Sequence, residues 1–86
     1  MPLFIDIYNL PGITEDAVRQ SCDKIREVEG KYDINLMHTW FDQSTGKVFC
    51  LYESPSSQSS DAVRREAHGL VPNEIFGVEE VQAVHV

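Results

Sequence analysis

Two runs rich in aromatic and apolar residues, Ile34 to Phe41 and Lys47 to Glu53, flank the turn formers Asp42-Gln-Ser-Thr-Gly46. This pattern is that of a β-hairpin, with Gly46 free to take the left-handed conformation that closes a short loop. Closing the hairpin symmetrically about Ser44 sets Trp40 opposite Val48, His38 opposite Cys50 and Leu36 opposite Tyr52. Those six then share one face, and Met37, Thr39, Phe41, Phe49, Leu51 and Glu53 line the other. Both faces are largely apolar, which a sheet bathed by water on one side does not need. Helices can cover one face, so the second is expected to bury itself against another copy of the chain, giving a homodimer.

The flanking segments complete the plan. Leu3, Ile5 and Ile7 alternate with Phe4, Asp6 and Tyr8, a period of two that makes a strand with Asp6 and Tyr8 on one face. Asn9-Leu-Pro-Gly12 breaks it, and Thr14 then caps a helix with Ala17, Val18, Ser21, Cys22, Ile25 and Val28 at helical spacing, ending near Gly30. After the hairpin, Ser54 to Ser60 reads as a polar connector with nothing to bury. Ser60 or Asp61 is expected to cap a short second helix with Ala62, Val63 and Ala67 inward, stopped by Gly69 and Pro72. A last strand runs from Glu74 to Val78 and on toward Val81. Strand, helix, strand, strand, helix, strand is the ferredoxin-like βαββαβ order, an α+β fold with four antiparallel strands and both helices on one face. The first and third strands belong in the middle. A mixed or swapped sheet of the same content is the alternative.

A chain of 86 residues makes one domain, residues 1–86, and buries only roughly 60% of its unfolded surface, which leaves room for stabilisation by pairing. Fourteen carboxylates against seven Lys and Arg give a net charge of −7 with no basic cluster, which excludes nucleic acid and anionic membrane as partners. Met1-Pro-Leu-Phe-Ile-Asp6 has no basic leader, and no apolar run reaches spanning length, so the expected compartment is the cytoplasm. There Cys22 and Cys50, too far apart for a Cys-x-x-Cys motif, are free thiols.

No Ser-His-Asp order, phosphate loop or His-Glu-x-x-His appears, and no residue is assigned a catalytic role. Cross-strand neighbours sit roughly 5 Å apart, which makes His38–Cys50 the tightest inferred donor pair. His68, just before Gly69, falls where a ring N–H can bond a free helix carbonyl, and His85 lies in the tail. The aromatic residues Tyr8, Trp40 and Tyr52 form a candidate surface for a small-molecule ligand.

Phe4-Ile-Asp6, Trp40-Phe-Asp42, Phe49-Cys-Leu-Tyr-Glu-Ser-Pro55, Ala67-His-Gly69 and Pro72-Asn-Glu-Ile75 occur in an order that resembles a bacterial family of unknown function. Its members are small ferredoxin-like dimers, some described as nickel-binding. The resemblance implies a cytoplasmic bacterial dimer holding nickel or another divalent transition metal. Carried over residue by residue, it keeps Asp6, Cys50, Glu53 and His68. The family's first-strand histidine falls at Tyr8, its first-helix histidine at Cys22 and a third at Arg64, which cannot ligate metal. The metal set that the resemblance leaves is Asp6, Cys50, Glu53 and His68, with His38 recruited. The alternatives are a metal-free binding module using Tyr8, Trp40 and Tyr52, and a small ferredoxin-like oxygenase or isomerase relying on Asp6.

Overall fold

A computed structural model describes residues 1–81; His85 therefore lies outside the described residues, as does any continuation of the last strand beyond Val81. The elements are β1 (Leu3–Asn9), α1 (Glu15–Val28), β2 (Asn35–Asp42), β3 (Lys47–Glu53), α2 (Ser57–Ala67) and β4 (Glu74–Val78), with a 3₁₀ turn at Glu29–Tyr32. The four strands form one antiparallel sheet in the order β2-β3-β1-β4, the ferredoxin-like arrangement with β1 and β3 central. Among the described residues no helix is long and apolar enough to cross a membrane.

Both helices lie on the same side of the sheet. Val18 and Ile25 of α1 and Val63 and Ala67 of α2 join Tyr8, Leu36, Val48, Cys50 and Tyr52 in one core. The Thr14 hydroxyl accepts the Ala17 N–H at 3.1 Å, starting α1 where the sequence sets it. On the other face Ile5, Ile7, Phe49 and Leu51 are half-buried, while Trp40 and Phe76 are about half exposed. Neither helix packs over that face, and Glu79 and Glu80, just after β4, share a groove there with Leu3, Met37, His38 and Leu51.

β4 stops at Val78, short of the expected run toward Val81, and two further expectations need correction. The hairpin pairs Asp42 with Lys47, so its loop is the four residues Gln43 to Gly46. The Asp42 carboxylate accepts from the Ser44 N–H and from both the Ser44 and Thr45 hydroxyls, which fixes Asp42 as the last paired residue. Trp40 consequently faces Phe49, Thr39 faces Cys50, and His38 faces Leu51. A bulge at Met37 then restores the expected Leu36–Tyr52 pair. A shift of one residue exchanges faces: Thr39 and Phe41 turn toward the helices, while His38 and Trp40 turn to the open side.

The second correction concerns the serines. α2 begins at Ser57, with Ser56 as its N-cap accepting the Ser59 N–H at 3.1 Å. Ser54 is completely buried, its hydroxyl donating to the Ser56 carbonyl at 2.8 Å and receiving the Ser60 hydroxyl at 2.9 Å. The stretch read as a connector is thus a buried polar turn and the first helical turn, built from residues that cap well because their hydroxyls bond nearby backbone.

Candidate functional site

β1 alternates, so Asp6 and Tyr8 both point from the middle of the sheet toward the helices. Tyr52 of β3 points the same way. Over them passes α2, whose residues Ser60, Val63, Arg64 and Ala67 are spaced to form one inward stripe. Arg64 reaches down from that stripe: Nη1 donates to Asp6 Oδ2 at 2.9 Å and to the Tyr52 hydroxyl at 3.2 Å. Its Nη2 donates to Asp61 Oδ1 at the surface, 2.8 Å away. Asp6 also accepts the Tyr52 hydroxyl at 2.8 Å and, more weakly, the Tyr8 hydroxyl at 3.5 Å. The side chains of Asp6 and Arg64 are 3% and 10% exposed, so this is a buried ion pair with its hydrogen bonds satisfied.

Burial raises the Asp6 carboxyl above its ordinary value, against the opposing pull of the Arg64 charge and the Tyr52 hydrogen bond. Burial likewise pushes Tyr52 up to about 12, and Tyr8 higher still. Neither phenol supplies an anion at neutral pH.

Beside this cluster Tyr8 meets the ring of His68 edge-on, with centroids 6.0 Å apart. His68 is the residue that caps α2, but not by the expected donation to a carbonyl. Its Nδ1 instead accepts the Leu70 N–H at 2.9 Å. Partial burial, with Arg64 and Lys24 nearby, holds its pKa below the usual imidazole value.

The residues expected to share a metal are divided by the sheet. Asp6, Cys50 and His68 lie on the helix side, and Asp6 is already bonded to Arg64. His38 and Glu53 lie on the open side, where the His38 ring tilts over Trp40 with centroids 5.5 Å apart. The inferred His38–Cys50 pair therefore does not form; Cys50 faces Thr39. Among the described residues no three His, Cys, Asp or Glu side chains are placed to hold a metal ion. The aromatic trio divides in the same way, with Tyr8 and Tyr52 buried and Trp40 half exposed. Trp40, Phe41 and Thr39 line a groove of about 580 Å³ with Glu15, Arg19 and Cys22 of α1.

Arg64 is the participant that the sequence reading passed over as a site residue. Two signals pointed to it: its place in the Ser60, Val63, Ala67 stripe, and the need of an inward carboxylate such as Asp6 for a counter-charge.

A small ferredoxin-like domain with a buried acid–guanidinium cluster under its second helix is the class that these features define. The family model for nickel responsive proteins of the SCO4226-like type matches residues 4–78, and the chain belongs to that family. Among solved structures it is similar to SCO4226 from Streptomyces coelicolor A3(2), with a TM-score of 0.83 and 28% identity. That match covers 93% of this chain and 99% of the other. No curated protein matches the chain.

Proposed function

We propose that this chain is a cytoplasmic, homodimeric binding module of the nickel-responsive family in which a built-in guanidinium, not a divalent ion, neutralises the Asp6 carboxylate. The observation that carries this reading is the 2.9 Å Arg64–Asp6 pair, buried and shared with Tyr52. A divalent metal at Asp6 needs several donors converging on one point and a carboxylate free to turn toward them. Here the carboxylate is engaged by three side chains, one of which sets a fixed positive charge 2.9 Å from Oδ2. The residues at this place do not fit nickel.

What remains for binding is the groove between α1 and β2, whose volume lies within the usual range for small-molecule sites. Trp40 and Phe41 offer aromatic surface there, and Glu15, Arg19 and Asp23 offer charge of both signs. The half-buried apolar residues of the open sheet face support dimerisation. Two free thiols suit a reducing compartment.

The family description favours a second reading, in which nickel is held through His68 and Cys50 after Arg64 releases Asp6. Equilibrium dialysis against nickel, followed by elemental analysis, separates the two. The expected result is no nickel above background for the wild-type protein. One nickel retained per chain, lost on His68→Ala, would establish the second reading in place of the first.

A further inference from the structure

Two thiols on different elements face one small cavity. Cys22 comes from α1 and Cys50 from β3, and Thr39 of β2 stands between them. Cys22 Sγ lies 3.4 Å from Thr39 Oγ1, which in turn lies 4.0 Å from Cys50 Sγ. Both thiols are free, and both line a cavity of about 30 Å³ whose remaining wall is largely apolar, with Val18, Ile25 and Val48 among its residues. Cys22 also lines the open groove beside α1, which supplies a path from solvent.

A largely apolar cavity with sulfur donors disfavours a hard, strongly hydrated cation and suits a soft one. Among the described residues no third His, Cys, Asp or Glu is grouped with them to complete the shell of an ion that demands four or more ligands. His68 lines the same cavity, but its Nδ1 accepts the Leu70 N–H, which leaves the proton of the neutral ring on Nε2 and no lone pair there for a metal. A monovalent ion with a filled d shell has no such demand, since two thiolates satisfy it. We propose that Cys22 and Cys50 form a two-sulfur site for a soft monovalent cation, copper(I) or silver(I), with the Thr39 hydroxyl hydrogen-bonded between the sulfurs in the metal-free protein. On binding, two S–H bonds are exchanged for two S–metal bonds and two protons leave to solvent. The oxidation state of the ion does not change, and the site gains one negative charge. The Asp6–Arg64 pair takes no part, so this proposal stands or falls apart from the nickel dialysis.

The test is an anaerobic titration of the reduced protein with copper(I) in the presence of a chromogenic copper(I) chelator. Wild type is expected to withhold one ion per chain, while Cys22→Ser surrenders it at the same chelator concentration. X-ray absorption on the wild-type complex is expected to show two sulfur neighbours, a reading that needs no variant of the buried Cys50. The proposal is overturned if the chelator strips wild type and Cys22→Ser equally, or if the bound ion shows fewer than two sulfurs.

Discussion

Arg64 and Asp6 show how one exchange of residue type alters what a site can do. A guanidinium is a cation that cannot be deprotonated in a protein and cannot act as a ligand, so its presence closes Asp6 to metal while meeting the same electrostatic need. Removing one member of a buried pair typically costs about 3–5 kcal/mol, because the other is left charged in a dry place. Arg64→Met is therefore expected to lower unfolding stability by about that amount, measured by urea denaturation. In Asp6→Asn/Arg64→Met no charge is stranded, and much of the loss should return. If the two single losses simply add in the double variant, the pair is not coupled. His68 gives a prediction in pH. Its folded-state pKa lies below the ordinary imidazole value of 6.5, so between the two values the unfolded chain binds more protons. Stability contributed by neutral His68 is thus present above pH 6.5 and is lost as pH falls through the folded pKa. His68→Gln should flatten the wild-type decline in melting temperature across that window, leaving only the carboxylate-driven fall at lower pH.

At the scale of elements, strands were more legible in the sequence than their pairing. The alternation in Leu3 to Tyr8 and in Val48 to Tyr52 groups the residues of β1 and β3 correctly into two faces, but both faces are apolar enough that the pattern does not say which one the helices cover. β2 was assigned to the wrong face over most of its length. Its two sides are almost equally apolar, so the pattern cannot signal a slip of one residue, and the Met37 bulge has no composition of its own. The thiol–threonine contact was hidden for the same reason, since Thr39 reaches Cys50 only in the shifted register. The Ser-rich stretch misled differently: serine is a weak helix former but a strong cap, so a run of it reads as loop until one hydroxyl is seen to start a helix. Gly46 was legible, and it sets the most direct test of the hairpin. Its φ is 76°, its N–H donates to the Asp42 carbonyl at 2.8 Å, and a Cβ there would collide with the Leu10 carbonyl. Gly46→Ala combines left-handed strain with a backbone clash and is expected to cost roughly 1–3 kcal/mol in urea unfolding. Gly12→Ala has the strain without the clash, since nothing lies within 4 Å of its Cβ, and should cost less.

For the whole molecule, the question is how a thin sheet layer keeps a second apolar face in water. The helices cover Tyr8, Val48, Cys50 and Tyr52 on one side and leave Ile5, Phe49, Leu51 and Phe76 on the other. Pairing two such faces removes apolar area from water at about 25 cal/mol per Å², an attraction that does not depend on charge. Opposing it is electrostatic repulsion, because each chain carries a net charge of −7 and two chains joined would carry twice that. Salt screens the repulsion over roughly 10 Å at 0.1 M and leaves the apolar term in place. A dimer of the proposed kind, held by this face, is therefore expected to tighten as salt rises, opposite to one held by ion pairs. Sedimentation equilibrium across a salt series checks the sign. Leu51→Glu, at the centre of the face on a central strand, adds a buried charge to each half of the joint and should give a folded monomer at every salt concentration. A wild-type protein that sediments as a monomer throughout, or a Leu51→Glu dimer as tight as the parent, would show that the open face meets something other than its own copy.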